Sequence, residues 1–292
     1  MATLLNGSPI PQILYGTARR EGKSPPDVLA ALRLGYRGLD TASSRHFHQE
    51  EQDGKALGEF LDGSPDVHRR DMFIQSKYAG PANQVEPWPY EIADDTTARV
   101  LKSVLRSARD LGVDVIDVYF LHTPLGSLEG TLEAWRVLER TVQRGGIRYL
   151  GIANVRETRL RQLFEAAQVK PHFVQNWFRG KTEYDRAVVE FCREHGLVYQ
   201  VFGVFDEANR HLLASRPVGD LVRDSGEALT THQALLQLLL AVAAGLGLKL
   251  VLLDGTTRAE HMRDNLGAVS RVVDMGVHAG QVKEFGELIG WA

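Results

Sequence analysis

Cysteine is almost absent from this chain: Cys192 is the single example in 292 residues. That excludes an intrachain disulfide framework and any metal site built from several thiolates, and it fits a reducing compartment. A charge excess is also missing, since 34 Lys and Arg stand against 37 Asp and Glu for a net charge of −3. Nucleic acid and anionic membrane surfaces are therefore not expected partners. No apolar run is long enough to span a bilayer. The most apolar, residues 235–248, contains Gln237, carries glycines at its end and reads as a buried helix. The N-terminal residues lack a basic segment followed by an apolar core, so no secretory signal is expected and the chain reads as cytoplasmic. No Gly-x-Gly-x-x-Gly follows an early strand, which weakens the case for an open dinucleotide-binding sheet.

What is present is an alternation of short apolar runs with amphipathic segments. Strands are predicted at residues 12–16, 37–40, 73–77, 115–122, 149–153, 173–176, 198–202 and 248–253. Between them apolar residues recur at three and four, as in Val100, Leu101, Val104, Leu105, Ala108 and Leu111, or Leu132, Trp135, Leu138 and Val142. Eight strand–helix units in this length predict an α/β fold of the (β/α)8 TIM-barrel type, a single domain over residues 1–292. Residues 4–11, with Asn6-Gly7 inside, predict an N-terminal β-hairpin at the barrel's bottom. The loop 78–95 is long for a barrel connection and carries three prolines, Trp88 and Tyr90. It reads either as a wall of the site or as a surface excursion with its aromatics packed on the barrel.

Parallel barrel strands all end at one mouth. Asp40 ends the second predicted strand, Lys77 the third and His122 the fourth, so an acid, an amine and an imidazole arrive at neighbouring positions. Singly, each has a structural explanation as a turn cap, a solvated strand end or a satisfied core histidine. Together they describe a candidate catalytic set.

These residues lie in stretches that resemble the aldo-keto reductases: "GLDTA", "FIQSK", "DVYFLHTPLGSLEGTLEAW" and "LGIANV" followed by "VQN". The resemblance runs from about residue 12 to residue 266 and is nearest to a divergent, fungal-type branch whose last strand ends in "GTT". It implies a barrel that binds NADP(H) across its mouth and passes hydride to the carbonyl carbon of a small-molecule substrate. In that family a Tyr gives the proton, a Lys paired to an Asp lowers the Tyr pKa, and a His orients the carbonyl oxygen. Asp40, Lys77 and His122 match three of these four roles. A phenol near pKa 10 needs such a cation beside it to exchange protons at neutral pH.

The resemblance also implies cofactor contacts. Asn154 and Gln175 match amides that hold the nicotinamide carboxamide, while Ala153 stands where many members have Ser. Phe202 matches an aromatic stacked on the nicotinamide, and Asn265 an adenine contact. Gly255, Thr256 and Thr257 begin a loop that could seat phosphate. Where many members grip the 2′-phosphate with Lys and Arg, this chain has Asp254 and His261, so NAD(H) stands as an alternative to NADP(H).

No tyrosine stands at the family's acid position. Counting five on from Asp40 gives Arg45, counting seven back from Gly54 gives Phe47, and the longer loop of the divergent branch gives His48. If Phe47 fills the place, the acid is missing. If His48 or its neighbour His46 does, an imidazolium replaces the phenol, against the repulsion of Lys77. Tyr78 adjoins Lys77 in a strand and points away from it. Two functions follow: a carbonyl reductase with an atypical proton donor, or a cofactor-binding relative that has lost carbonyl reduction. Trp88, Tyr90, Trp177 and Phe178 read equally as the wall of an apolar substrate pocket or as packing, and Arg179 and Lys181 near the same mouth as contacts to an anionic substrate or, more simply, as solvated surface charge. No metal site is expected, and oligomeric state is not legible.

Overall fold

The computed structural model describes residues 2–5, 8–18, 27–226, 228–270 and 278–291. Strands β1 (Ala2–Leu5) and β2 (Ser8–Ile10) pair antiparallel as the expected hairpin, whose Asn6-Gly7 turn lies outside the described residues. There follow β3 (Ile13–Gly16), α1 (Val28–Leu34), β4 (Gly38–Asp40), α2 (Glu50–Asp62), β5 (Phe73–Tyr78) and α3 (Thr96–Leu111). Then come β6 (Ile116–Leu121), α4 (Leu128–Gln143), β7 (Ile147–Ala153), α5 (Glu157–Ala166), β8 (Phe173–Trp177), α6 (Arg186–His195) and β9 (Val198–Phe202). The chain ends through α7 (Arg210–Leu213), α8 (Arg216–Asp224), α9 (Thr231–Gly245), β10 (Lys249–Asp254), α10 (Ala259–Ser270) and α11 (Ala279–Leu288). The hydrogen-bonded strand order is β10-β3-β4-β5-β6-β7-β8-β9, a closed parallel barrel of the predicted class.

Two compact units divide the chain, Leu14–Gln175 with Gly255–Thr257, and Met1–Ile13 with Asn176–Asp254 and Arg258–Ala292. In the first, local chemistry sets the helix ends. Asp95 caps α3 by accepting from the Ala98 N–H, and Gly112 closes it at φ +67°. Ser127 caps α4 through the Gly130 N–H. Alternation then sorts the strand side chains. Phe73, Phe120, Tyr149 and Phe173 turn inward as one aromatic cluster, with Phe173 centroids 5.9, 6.3 and 6.1 Å from Phe73, Phe120 and Tyr149. Gly151 makes room for it, because a Cβ there would meet the Phe120 ring at 2.3 Å.

The outer faces of β5 and β6 carry a polar cluster instead. Ser103 and Ser107 of α3 meet the Tyr119 hydroxyl at 3.0 and 3.4 Å. The Glu50 carboxylate of α2 accepts from Ser107 at 2.9 Å and from Ser76. In the second unit, α9 begins with a capping box between Thr230 and Gln233 and buries most of its length, as read for the apolar run at 235–248. Among the described residues no helix is long and apolar enough to cross a membrane.

Candidate active site

The aromatic cluster floors a polar layer one turn of the strand pattern higher. Asp40, the last residue of β4, and Lys77 on β5 are both buried and form an ion pair of 2.7 Å. The Lys77 Nζ also donates to the Thr41 carbonyl at 2.8 Å, so two of its three protons are held. Asp40 Oδ1 takes two further donors, the Nε2 of Gln75 and the Nε2 of Gln175 at 3.0 Å. A buried carboxylate of this kind persists because it is paired and hydrogen-bonded at once. The layer is closed by His122, whose backbone N–H continues the ladder to the Tyr78 carbonyl at 2.9 Å. Its imidazole is half-buried and its Nδ1 has no hydrogen-bond partner among the described residues. Burial, and then the Lys77 charge, push its pKa down to about 4, so it is neutral at pH 7.

The loop after β4 gives its candidate residues different surroundings. Phe47 is 39% exposed and packs edge-on to the exposed His46, 4.3 Å between centroids. Arg45 turns outward as well, 3.7 Å from the Asp110 carboxylate. His48 turns inward and is only 5% exposed. Burial lowers its pKa well below 6.5, and the charges of Lys77 and His122 lower it further. Its Nδ1 lies 3.2 Å from the Thr17 hydroxyl. That hydroxyl donates to Asp53 at 2.8 Å, and Asp53 also accepts from Thr41 at 2.8 Å.

Thr17, Asp53 and the Gln75 amide join this buried polar network and were not singled out from the sequence. A signal for Asp53 was there. Glu50, Asp53, Leu57 and Phe60 form the buried stripe of α2, so two acids occupy core-facing positions. Glu50 shows the cost of such a place: burial is the main cause that lifts its pKa to about 7.

The residues matched to cofactor contacts fall into two groups. Asn154, just beyond β7, is exposed and adopts a left-handed backbone at φ +53°. Its Nδ2 donates to the His122 carbonyl at 2.9 Å, and its Oδ1 takes no hydrogen bond among the described residues. Gln175 is buried with its Nε2 turned to Asp40, so it supports the ion pair instead of standing free. Gly255 is exposed and the Thr256 carbonyl accepts from the Tyr15 hydroxyl at 3.1 Å, with Thr257 following in the same open segment.

In the second unit Phe202 stacks on Trp177, 6.0 Å between centroids. Asn265 is buried and donates to Asp254 at 3.0 Å, so it is committed to the strand end and Asp254 is not an open, repelling charge. His261 stacks on His232 at 6.2 Å. Of the four aromatics read as pocket wall, Phe178 packs internally against Tyr184 and Trp291, and Tyr90 is tied to the Ala79 carbonyl at 2.9 Å. Both are buried by local packing. Trp177 is exposed beneath the Arg179 guanidinium, 4.6 Å from its ring.

Comparison with known proteins places the chain in a family. A family model described as "Aldo/keto reductase family" matches residues 13–279. The glycerol 2-dehydrogenase (NADP(+)) of Hypocrea jecorina is 27% identical over 264 residues, 82% of this chain and 78% of that protein. An aldehyde reductase of Saccharomyces cerevisiae is 25% identical over 76% of this chain and 74% of its own. Among solved structures, a Bombyx mori aldo-keto reductase in complex with NADP superposes with a TM-score of 0.74 at 21% identity, covering 96% of this chain and 90% of that one. With the barrel, the buried Asp40–Lys77 pair and a match over nearly its whole length, the chain belongs to the aldo/keto reductase family.

Proposed function

We propose that this chain is an NADP(H)-dependent oxidoreductase interconverting a small aldehyde or ketone and its alcohol, with His48 in the proton-transfer place. The observation that supports the reading is the burial of His48 at the end of loop 41–49, within reach of the Lys77 and His122 charges that oppose its protonation, while Phe47 is left exposed. The residues present fit the cofactor. Asn154 offers an unpartnered Oδ1 as acceptor for a carboxamide N–H, and Gly255 to Thr257 form an open backbone segment suited to phosphate. NADP(H) is preferred to NAD(H) because the Asp254 carboxylate faces the Asn265 amide, and because two relatives bear NADP in their names. We read the whole of residues 1–292 as one such barrel.

When bound, the reduced nicotinamide supplies a hydride to the carbonyl carbon. Negative charge then grows on the carbonyl oxygen. Lys77 keeps one N–H beyond those given to Asp40 and Thr41, and its fixed cation stabilises that charge without reorganisation. Neutral His122 can hold the oxygen by a hydrogen bond and adds no second cation. The proton comes from His48. Carbonyl reduction consumes a proton held in the site, and burial disfavours protonation of His48 itself, so that direction accelerates as pH falls below 7. Alcohol oxidation uses neutral His48 as acceptor and is not limited in this way at pH 7.

Purified protein is mixed with NADPH and a panel of aldehydes and ketones, and with NADP+ and the matching alcohols, while nicotinamide absorbance is followed. Turnover is expected, falling about 10²–10⁴-fold in His48→Ala, the usual range for a general acid, and little changed in Phe47→Ala. Tight cofactor binding without turnover in either direction overturns this reading. It would favour the alternative function, a cofactor-binding member that has lost carbonyl reduction.

A further inference from the structure

Burial, Lys77 and His122 all oppose an imidazolium at His48, yet a proton-transfer residue must gain and lose a proton there. The side chains on its other nitrogen offer a way around this. Thr17 Oγ1 carries one proton and lies 2.8 Å from Asp53 Oδ2, a carboxylate oxygen that only accepts. The threonine proton therefore points to Asp53. The 3.2 Å contact with His48 Nδ1 must then be an N–H from the imidazole to Oγ1. Neutral His48 is thus the Nδ1–H tautomer, with the lone pair on Nε2. Thr17, Thr41, His48 and Asp53 are all buried, so no bulk water competes for these bonds. They come from four places that the fold brings together: the end of β3, the end of β4, the loop before α2 and the start of α2.

We propose that Thr17 and Asp53 are positioning residues that fix the His48 tautomer and relay its second proton. This deepens the reading of His48 given above and rests on it. As the alcohol carbon gives its hydride to the oxidised nicotinamide, the hydroxyl proton passes to His48 Nε2. The Nδ1 proton moves to Thr17 Oγ1, and the proton already on Thr17 moves to Asp53 Oδ2. The alcohol is oxidised to the carbonyl and the nicotinamide is reduced. Imidazole and hydroxyl end neutral, and the Asp53 carboxylate becomes a carboxylic acid. In carbonyl reduction each proton shift reverses, so the acid that feeds the site is Asp53. No full positive charge need rest on His48 beside Lys77. The second hydrogen bond from Thr41 holds Asp53 Oδ2 in line with Thr17.

The test uses Thr17→Val, which keeps the shape and removes the hydroxyl, Thr17→Ser, which restores it, and Asp53→Asn. Histidine-labelled protein is studied by ¹⁵N NMR without cofactor, with the His48 signals assigned through His48→Gln. The Nδ1–H tautomer is expected in the unsubstituted protein and in Thr17→Ser, and a mixture in Thr17→Val. In turnover assays kcat should fall about tenfold or more in Thr17→Val and Asp53→Asn, KM should stay within about twofold, and Thr17→Ser should recover kcat. A merely structural role would not give that split or that rescue. Should Asp53→Asn fail to fold, the Val and Ser pair at position 17 decides alone. An Nε2–H tautomer in the unsubstituted protein overturns the proposal. So does full kcat in Thr17→Val while His48→Ala is inactive. If His48→Ala is itself fully active, the reading of His48 as the proton-transfer residue fails, and the tautomer measurement still judges Thr17 and Asp53 independently.

Discussion

Replacing Lys77 with Met probes the centre of the site and the stability of the barrel together. The substitution keeps the stem of the side chain and removes a buried ammonium that is 2.7 Å from Asp40 and 2.8 Å from the Thr41 carbonyl. Asp40 is then left as a buried carboxylate without a cation. Removing one partner of such a pair costs about 3–5 kcal/mol. The lower end is expected here, because the Gln75 and Gln175 amides still donate to Asp40 Oδ1. An unfolding entropy near 2.1 cal/mol/K per residue gives roughly 0.6 kcal/mol/K for a chain of this length, so the melting temperature should drop by about 5 °C. The assay is thermal unfolding at pH 7 of the parent protein, Lys77→Met, Asp40→Asn and the double variant. Asp40→Asn/Lys77→Met should regain most of the loss, since neither charge is then left alone. A Lys77→Met melting point within about 1 °C of the parent, or a double variant less stable than both singles, would refute a buried and mutually dependent pair.

Gly54 lies where α2 crosses α3, and a Cβ there would meet the Asp110 carbonyl at 2.1 Å and the Leu111 Cα at 2.7 Å. Backbone cannot yield as a side chain tip does, so Gly54→Ala should destabilise by about 3 kcal/mol or more in urea unfolding, with the loop to His48 disturbed as well. Glu50 titrates at about 7 in the folded chain against 4.5 for the free group. The raised value means that its contribution is complete below pH 4.5 and is lost as pH climbs through about 7, a swing of about 3 kcal/mol. Unfolding measured from pH 4.5 to 8.5 should show that decline, and Glu50→Gln should flatten it. Cys192 is buried and burial pushes its thiol pKa far up, so it should resist alkylation in native protein at pH 8 and react at once in denaturant.

The barrel was legible because period-two and period-3.6 patterns alternate cleanly along the chain. Predicted and observed strands coincide at Val198–Phe202 and differ elsewhere by one or two residues at their ends. Asp40 and Lys77 were legible for the same reason: a charged residue at the end of a buried strand has one mouth to face. Gln175 and Asn265 have partners within the chain that were not read from the sequence, since sequence does not show which buried carboxylate will claim an amide. Asp40 and Asp254 claimed them. The aromatics were open to two readings, pocket wall or packing; Tyr90 and Phe178 take the second, since burial of a large ring needs no ligand.

The acid position resisted counting for a reason visible in the backbone. The N–H groups of both Phe47 and His48 bond to the Ser44 carbonyl, at 3.1 and 2.8 Å, so residues 44–48 wind into a single helical turn. Successive side chains on such a turn diverge by roughly 100°, and Phe47 and His48 therefore cannot both face the barrel. What lies beneath selects between them. A phenyl ring turned inward would press on the Thr17 hydroxyl and the Asp53 carboxylate and satisfy neither, whereas His48 Nδ1 lies within hydrogen-bond distance of the Thr17 hydroxyl. Phe47 can stay outside at little expense because it covers the His46 ring. Asp53, five positions beyond the loop's histidine, is thus the residue on which the proposed role of His48 turns: an acid on the buried stripe of α2 gives a buried imidazole a polar partner through Thr17.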